Sequence, residues 1–416
     1  MQAKVSLSTQ FITSQNAHQI RALVSLTGEA AIRRPPINVA LVLDRSGSMA
    51  GAPLAAAREA ARRFAAFLSP KDRLTVVTFD DSVATVFGPA TGGDPQALEV
   101  IDRIQAGGST NLSGGWLEGR RQVAEGLVDG TNRVVLLTDG LANVGLVEPP
   151  RLTGLATSAR EQRVSTTCIG FGADFNEDLL RAFADAGGGN YWYVEETDQM
   201  AAVFQGEIEG LVALAAQNVA IEVRSVHPGV AGVSFLPLLP VTHLDDGWRV
   251  VLGDLYATSP RALGIVAHVE DVAALGTVTV AEVKVRADVV TETGIEHRVI
   301  TLPVVANLDG TTRMEPVVEK TFLQFELARV REEAVARADR GEFAEAARTL
   351  REAADRCDAL VADDAGLAEV RDDVLAEAAR LEERQYDARD RKYHLAQAVA
   401  ARDQKSEYAR TIRRKR

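Results

Sequence analysis

The chain is poor in the residues that most often carry chemistry. It has two cysteines and six histidines in 416 residues. Cys168 lies in the apparent strand Ser165 to Phe171 and Cys357 on a distant helical segment, which excludes a disulfide framework. No segment approaches the roughly 20 consecutive apolar residues of a membrane span. Met1 to Ile20 shows no basic region followed by an apolar run, so no secretory signal is expected and the expected location is cytoplasmic. There is no Gly-x-x-x-x-Gly-Lys-Ser/Thr loop for a nucleotide, no His-Glu-x-x-His zinc pair and no Gly-x-Ser-x-Gly elbow. A net charge of −12 argues against general nucleic-acid binding.

What is present is ordinary globular material, 46% hydrophobic and 25% charged, in a chain long enough for two or three domains with their own cores. One stretch organises it, Ile37 to Gly51. The apolar run Val39 to Leu43 reads as a buried strand of a parallel sheet. It ends in Asp44, then Ser46 and Ser48 flanking Gly47, and a helix is expected over Ala55 to Phe67. Polar oxygens at the carboxyl end of such a strand sit where open α/β sheets bind ligands. Downstream, Gly107-Gly108-Ser109-Thr110-Asn111 forms a glycine-rich loop, and Val134 to Thr138 forms a second buried strand ending in Asp139-Gly140. Asp44, Ser46, Ser48, Thr110 and Asp139 thus form an all-oxygen set suited to a hard divalent cation.

Asp-x-Ser-x-Ser, then Thr, then Asp-Gly resembles the metal-ion-dependent adhesion site of von Willebrand factor type A domains, over roughly Pro36 to Leu214. The passage Asp178 to Tyr191 is similar to that family's last helix-to-strand passage. The resemblance implies a Rossmann-like, mostly parallel sheet flanked by helices. It implies Mg²⁺, with Ca²⁺ or Mn²⁺ as alternatives, ligated directly by Ser46 and Ser48. Thr110 would switch between direct and water-mediated contact, and Asp44 and Asp139 would hold waters and accept the serine protons. An open coordination position would take a Glu or Asp carboxylate from a protein partner. In relatives this couples to a shift of the last helix, here about Thr197 to Leu214. Arg45 is a variable position of the motif and reads as solvated.

In chain order, Val5 to Ser8 and Ile20 to Leu26 alternate in part like half-buried strands, and Arg33-Arg34-Pro35-Pro36 breaks the pattern. Residues 36–214 alternate buried strands and helices, with a hairpin partner near Ala84 to Phe87 and Asp80-Asp81 read as a turn. Residues 215–317 carry short strands (Val219–Val223, Trp248–Leu252, Leu263–Val269, Thr277–Val285, His297–Val305), which read as an antiparallel β-sandwich. The strands in residues 1–35 are expected to complete it, making the metal-binding domain an insertion. Residues 318–416 are helical: a hairpin resembling one tetratricopeptide unit over Phe322 to Leu350, one further long helix over Ala368 to Ala400, and a basic tail from Arg410 to Arg416 read as a solvated end.

The histidines (His18, His227, His243, His268, His297, His394) all lie outside the expected metal-binding domain and read as surface or strand residues rather than bases. The expected function is therefore a non-enzymatic, metal-dependent protein–protein interaction. The alternatives are an adaptor or scaffold for an AAA+ ATPase, suggested by bacterial proteins of this family, and a hydrolase using metal-activated water.

Overall fold

The computed structural model describes residues 1–29, 34–141, 143–237, 239–270, 276–357 and 365–405. Its first elements, β1 (Gln2–Ile12) and β2 (Ala17–Thr27), pair antiparallel as a hairpin. The chain then enters a six-stranded sheet through β3 (Ile37–Asp44), α1 (Ala52–Phe67), β4 (Arg73–Phe79), β5 (Val83–Thr91), α2 (Pro95–Asp102) and α3 (Leu112–Glu125). It continues through β6 (Thr131–Thr138), α4 (Pro149–Glu161), β7 (Ser165–Phe171), α5 (Glu177–Gly187), β8 (Gly188–Val194) and α6 (Met200–Val212). The strand order is β5-β4-β3-β6-β7-β8, parallel throughout except for the edge pair β4–β5.

Every residue of β3, β6 and β7 is buried. Uninterrupted burial requires helices on both faces, as parallel sheets have. Phe64 of α1 meets Phe204 of α6 edge-on, and Trp116 of α3 meets Phe183 of α5 at 4.9 Å. Because β3 is flanked by β4 on one side and β6 on the other, strand order reverses there, and the carboxyl ends of β3 and β6 border a crevice.

After α6 the chain runs directly into β9 (Leu214–Ser225), then β10 (Val230–Leu236), β11 (Val241–Leu244), β12 (Gly247–Tyr256), β13 (Arg261–Val269), β14 (Gly276–Thr291) and β15 (Gly294–Leu308). Two antiparallel sheets result, β1-β2-β13-β10 and β11-β12-β9-β14-β15. β2 pairs with β13 from Leu26↔Arg261 to His18↔Val269, so the N-terminal hairpin lies in the sandwich. Val24, Leu263, Ile221 and Val285 meet between the two layers. β10 and β11 lie beyond the strands expected from sequence. Their mostly exposed residues hide the alternation that marks a strand.

The described residues after β15 fold into α7 (Pro316–Asp339), α8 (Phe343–Asp355), α9 (Ala365–Glu382) and α10 (Ala388–Arg402). The single helix expected over Ala368 to Ala400 is in fact two. Arg384 adopts a left-handed backbone, and Asp387 starts a new helix by accepting from the backbone of Arg389 and Asp390. Leu327, Leu350, Val374 and Leu381 form a core of their own between α7, α8 and α9. α10 packs elsewhere: Tyr393, Ala396 and Val399 belong to the core of the six-stranded domain. One histidine departs from expectation: His394 is buried on α10 against Tyr386 and Tyr393, whereas His18 is a strand residue as expected, buried in β2 beside Phe11. The basic tail, Arg410 to Arg416, lies outside the described residues.

At the amino end of the sheet, a buried charge cluster joins the two folds. Arg133 of β6 pairs with Glu207 of α6 at 2.9 Å and with Asp254 of β12. Glu207 also accepts from Thr167, Asn190 and Trp192 at 2.7–2.8 Å.

Candidate metal centre

β3 ends in Asp44, whose carboxylate is buried and twice satisfied. Oδ1 accepts from the Ser46 amide at 2.8 Å and Oδ2 from the Thr138 hydroxyl at 2.5 Å. A single 3-10 turn, Gly47–Met49, brings the Ser46 and Ser48 hydroxyls within 3.1 Å of each other. Ser48 donates to Asp139 Oδ1 at 2.8 Å, which links the end of β3 to the end of β6. Asp44, Ser46, Thr110 and Asp139 are buried, whereas Ser48 is exposed, so the group opens to solvent on the serine side.

Thr110 sits on a loop held at several points. The Gly107 amide donates to Arg45 O, the Gly47 amide to Gly108 O, and the Asn111 amide to Asp80 O, at 2.8–3.1 Å. Gly108 has φ +64° and presses against the carboxylates of Asp80 and Asp81, so a side chain there would meet both strain and a clash. The Thr110 carbonyl accepts from the amides of Asn143 and Val144, and its hydroxyl lies 3.0 Å from where a Cβ on Gly140 would stand. The structure thus joins Asp44, Ser46, Ser48 and Asp139 in one hydrogen-bonded set and seats Thr110 against the Asp139–Gly140 turn.

Two details depart from the sequence reading. Arg45 pairs with Asp80 Oδ2 at 2.8 Å rather than with solvent. Asp80 does form the expected turn, accepting from the Ser82 amide and hydroxyl, and its carbonyl also anchors the Thr110 loop. Thr138, which sequence reasoning did not single out, is the hydroxyl that orients Asp44. Its signal was a polar residue closing an otherwise apolar strand.

The electrostatics are one-sided. Among the described residues neither Asp44 nor Asp139 has a cationic partner. Burial pushes the Asp139 carboxyl up to about 6, with Asp44 and Asp174 adding repulsion against the Ser48 hydrogen bond. Burial also raises Asp44 above the ordinary carboxylate range, against hydrogen bonds from Ser46 and Thr138, and Asp80 adds to the rise. No three His, Cys, Asp or Glu side chains gather as a metal site among the described residues, so hydroxyls must complete any ligand set. Two unneutralised carboxylates and three hydroxyls, with no nitrogen or sulfur donor, fit a hard cation such as Mg²⁺ or Ca²⁺.

Residues 38–206 match the model of the von Willebrand factor type A domain. The chain contains such a domain. A solved structure described as von Willebrand factor type A from Catenulispora acidiphila superposes with TM-score 0.69 at 20% identity, covering 89% of each chain. A second, the ArnB paralog VWA2 of Sulfolobus acidocaldarius, gives TM-score 0.57 at 16% identity over 95% of this chain and 98% of that one. At these identities the likeness is one of fold. Among curated proteins, an uncharacterized protein of Synechocystis is 33% identical over 194 residues, 46% of this chain and 45% of that protein. Human inter-alpha-trypsin inhibitor heavy chain H4 is 31% identical over 172 residues, 37% of this chain and 18% of the relative. The chain thus spans less than half the length of these relatives. The type A domain's sheet is the six-stranded one, and the five oxygen-bearing residues lie at the carboxyl ends of its strands and on the adjoining loops. No helix among the described residues is long and apolar enough to cross a membrane.

Proposed function

We propose that this chain is a non-enzymatic, metal-dependent protein-interaction module. A divalent cation, Mg²⁺ first and Ca²⁺ or Mn²⁺ as alternatives, would be held by Asp44, Ser46, Ser48, Thr110 and Asp139 as a metal-ion-dependent adhesion site. The observation that carries this is the pair Asp44 and Asp139, buried together with no cationic partner among the described residues and beside the exposed Ser48. The bound cation supplies an electrophilic centre that accepts a Glu or Asp carboxylate from a protein partner. Asp44, held by Thr138 and the Ser46 amide, orients the serine turn, and Asp139 accepts the Ser48 proton. The Thr110 loop, tied to both the serine turn and the Asp139 turn, would register occupancy. α6 leads into β9 with one residue between them, which offers a route by which a change of helix position reaches the sandwich as a population shift.

The test is calorimetric titration of Mg²⁺ into metal-free protein and into Asp44→Ala. Saturable binding by the first and none by the second is expected. No binding by the first contradicts the reading. A second reading, an adaptor for an AAA+ ATPase, draws on α7, α8 and α9, which pack around a core separate from that of the type A domain. It predicts that a fragment-free, full-length chain carrying charge reversals on exposed α8 residues loses capture of such an ATPase while still binding Mg²⁺.

A further inference from the structure

A wide cleft lies at the opposite end of the sheet from the metal centre, where β8 begins. It encloses about 660 Å³ and is walled by α4 and α5 of the type A domain, by the sandwich, by Glu332 of α7 and by the end of α10. At its floor the two folds come backbone to backbone. A Cβ on Gly253 of β12, which has φ +80°, would stand 3.1 Å from the Gly188 carbonyl. Sites of about 300–1,000 Å³ at domain junctions are where small ligands most often bind.

The charges lining this cleft are nearly all neutralised by one another. Arg402 makes two hydrogen bonds to Asp185, at 2.6 and 2.8 Å, and both Arg402 and Arg261 pair with Asp403. Arg181 pairs with Glu332 at 2.8 Å, and Asp254 pairs with Arg133. Arg160 is the exception. Among the described residues its guanidinium makes no hydrogen bond and no ion pair. Its stem lies against Gly188, its Cδ 2.8 Å from where a Cβ there would be. Burial pulls its pKa below the ordinary arginine value, and the opposing charge acting on it is its chain neighbour Glu161. The guanidinium nitrogens keep contact with solvent in the cleft, so the group is open to an anion that enters it. Thr153 and Thr157 share its helix face at four- and three-residue spacing and line the same wall. Across the cleft the sandwich presents Leu239, Pro240 and Val251.

We infer that this cleft binds a small organic acid, with its carboxylate on Arg160 and its apolar body against Leu239, Pro240 and Val251. The planar fork of a guanidinium matches a carboxylate bidentately. The apolar wall selects for a hydrocarbon body over an inorganic anion. Such a ligand would touch both folds at once and stabilise their junction. This site is independent of the metal centre.

The test uses the full-length chain and three probes: octanoate, octanol and inorganic phosphate. Octanoate should bind saturably by calorimetry and raise the Tm, while octanol (apolar body without charge) and phosphate (charge without apolar body) bind at least about tenfold more weakly. Arg160→Gln removes an unpaired charge and should unfold cooperatively like the wild type while losing about tenfold or more in octanoate affinity, the size expected for a charge-assisted hydrogen bond. Equal octanoate affinity in Arg160→Gln, phosphate binding as tight as octanoate, or no saturable octanoate binding each overturns the assignment. If Arg160→Gln does not fold, Val251→Trp decides, because it fills the cleft from the other wall: loss of octanoate binding supports the site and retention overturns it.

Discussion

Asp44 and Asp139 at one end of the type A sheet, and Glu207 and Asp254 at the other, are two pairs of buried carboxylates given different counter-charges. At the amino end Arg133 lies between the acids, with its Nε on Ser165, and Glu207 takes four donors in all. Burial alone would raise both acids; Arg133 and the hydrogen bonds from Asn190 and Trp192 outweigh it at Glu207 and hold that carboxyl below the ordinary range, while at Asp254 burial wins and its carboxyl stays above it even beside Arg133. At the carboxyl end neither Asp139 nor Asp44 pairs with a cation among the described residues, the nearby Arg45 being taken by Asp80, and both carboxyls are raised. A buried acid pair that brings its own cation is finished as structure. A pair that lacks one is set up to receive it. The sheet therefore has a closed end that fastens it to the sandwich and an open end whose acids have no cation of their own among the described residues, as the proposed metal site requires.

Removing the internal cation should have the largest effect. Arg133→Met leaves Glu207 and Asp254 buried and uncompensated, which is expected to cost about 3–5 kcal/mol in urea unfolding. A loss below 1 kcal/mol would show that the closed end is not held electrostatically. At the open end, Thr138→Val removes the hydroxyl on Asp44 Oδ2 and leaves a buried acceptor short of a donor. The expected loss is about 1–3 kcal/mol, with Mg²⁺ affinity reduced as well. Unchanged Mg²⁺ affinity would remove Thr138 from the site.

How far such a contrast can be read from sequence depends on whether the partners are close along the chain. Asp44, Ser46 and Ser48 are consecutive in pattern, and Asp139 and Thr110 each follow a recognisable strand or glycine-rich loop, so the open end was legible. The closed end was not. Arg133 looks like a stray charge at the start of an apolar strand, and its partners lie 74 and 121 residues away. The same holds for α10, whose core contacts are hidden because Lys392 and Arg402 are buried by pairing with the distant Glu177 and Asp185. The alternation in β2 did announce a half-buried strand, since Gln19, Arg21 and Ser25 alternate with Ile20, Val24 and Leu26 of the sandwich core; the break in the pattern, Leu23 on the outer face, is buried with Val318 and Phe322 of α7.

A smaller effect sharpens the comparison through pH. In metal-free protein the Asp139 carboxyl titrates at about 6 when folded and near 4 when unfolded. The folded state therefore binds more protons in that window, and its stability falls as pH rises from about 4 to 6. With Mg²⁺ the trend should reverse, because the cation competes with the proton and its affinity climbs as pH passes 6. Parallel curves in EDTA and in Mg²⁺ would contradict this. The smallest effect expected is from Arg45→Gln. It breaks a partly exposed pair with Asp80, should cost less than about 1 kcal/mol, and should leave Mg²⁺ binding within a few-fold. A loss of Mg²⁺ binding there would mean the Thr110 loop depends on that pair.

The most direct test of the two-ended account is to neutralise one acid at each end and measure unfolding free energy in EDTA. Asp139→Asn keeps an acceptor for Ser48 and removes repulsion with Asp44, so the metal-free protein should hold or gain stability. Glu207→Gln removes the charge facing Arg133 and turns an amide toward donors already in place, so it should lose about 2 kcal/mol or more. Opposite responses are the expected result. Equal destabilisation by both substitutions would mean that the carboxylates of the open end are as structurally satisfied as those of the closed end, contradicting the claim that they await a cation.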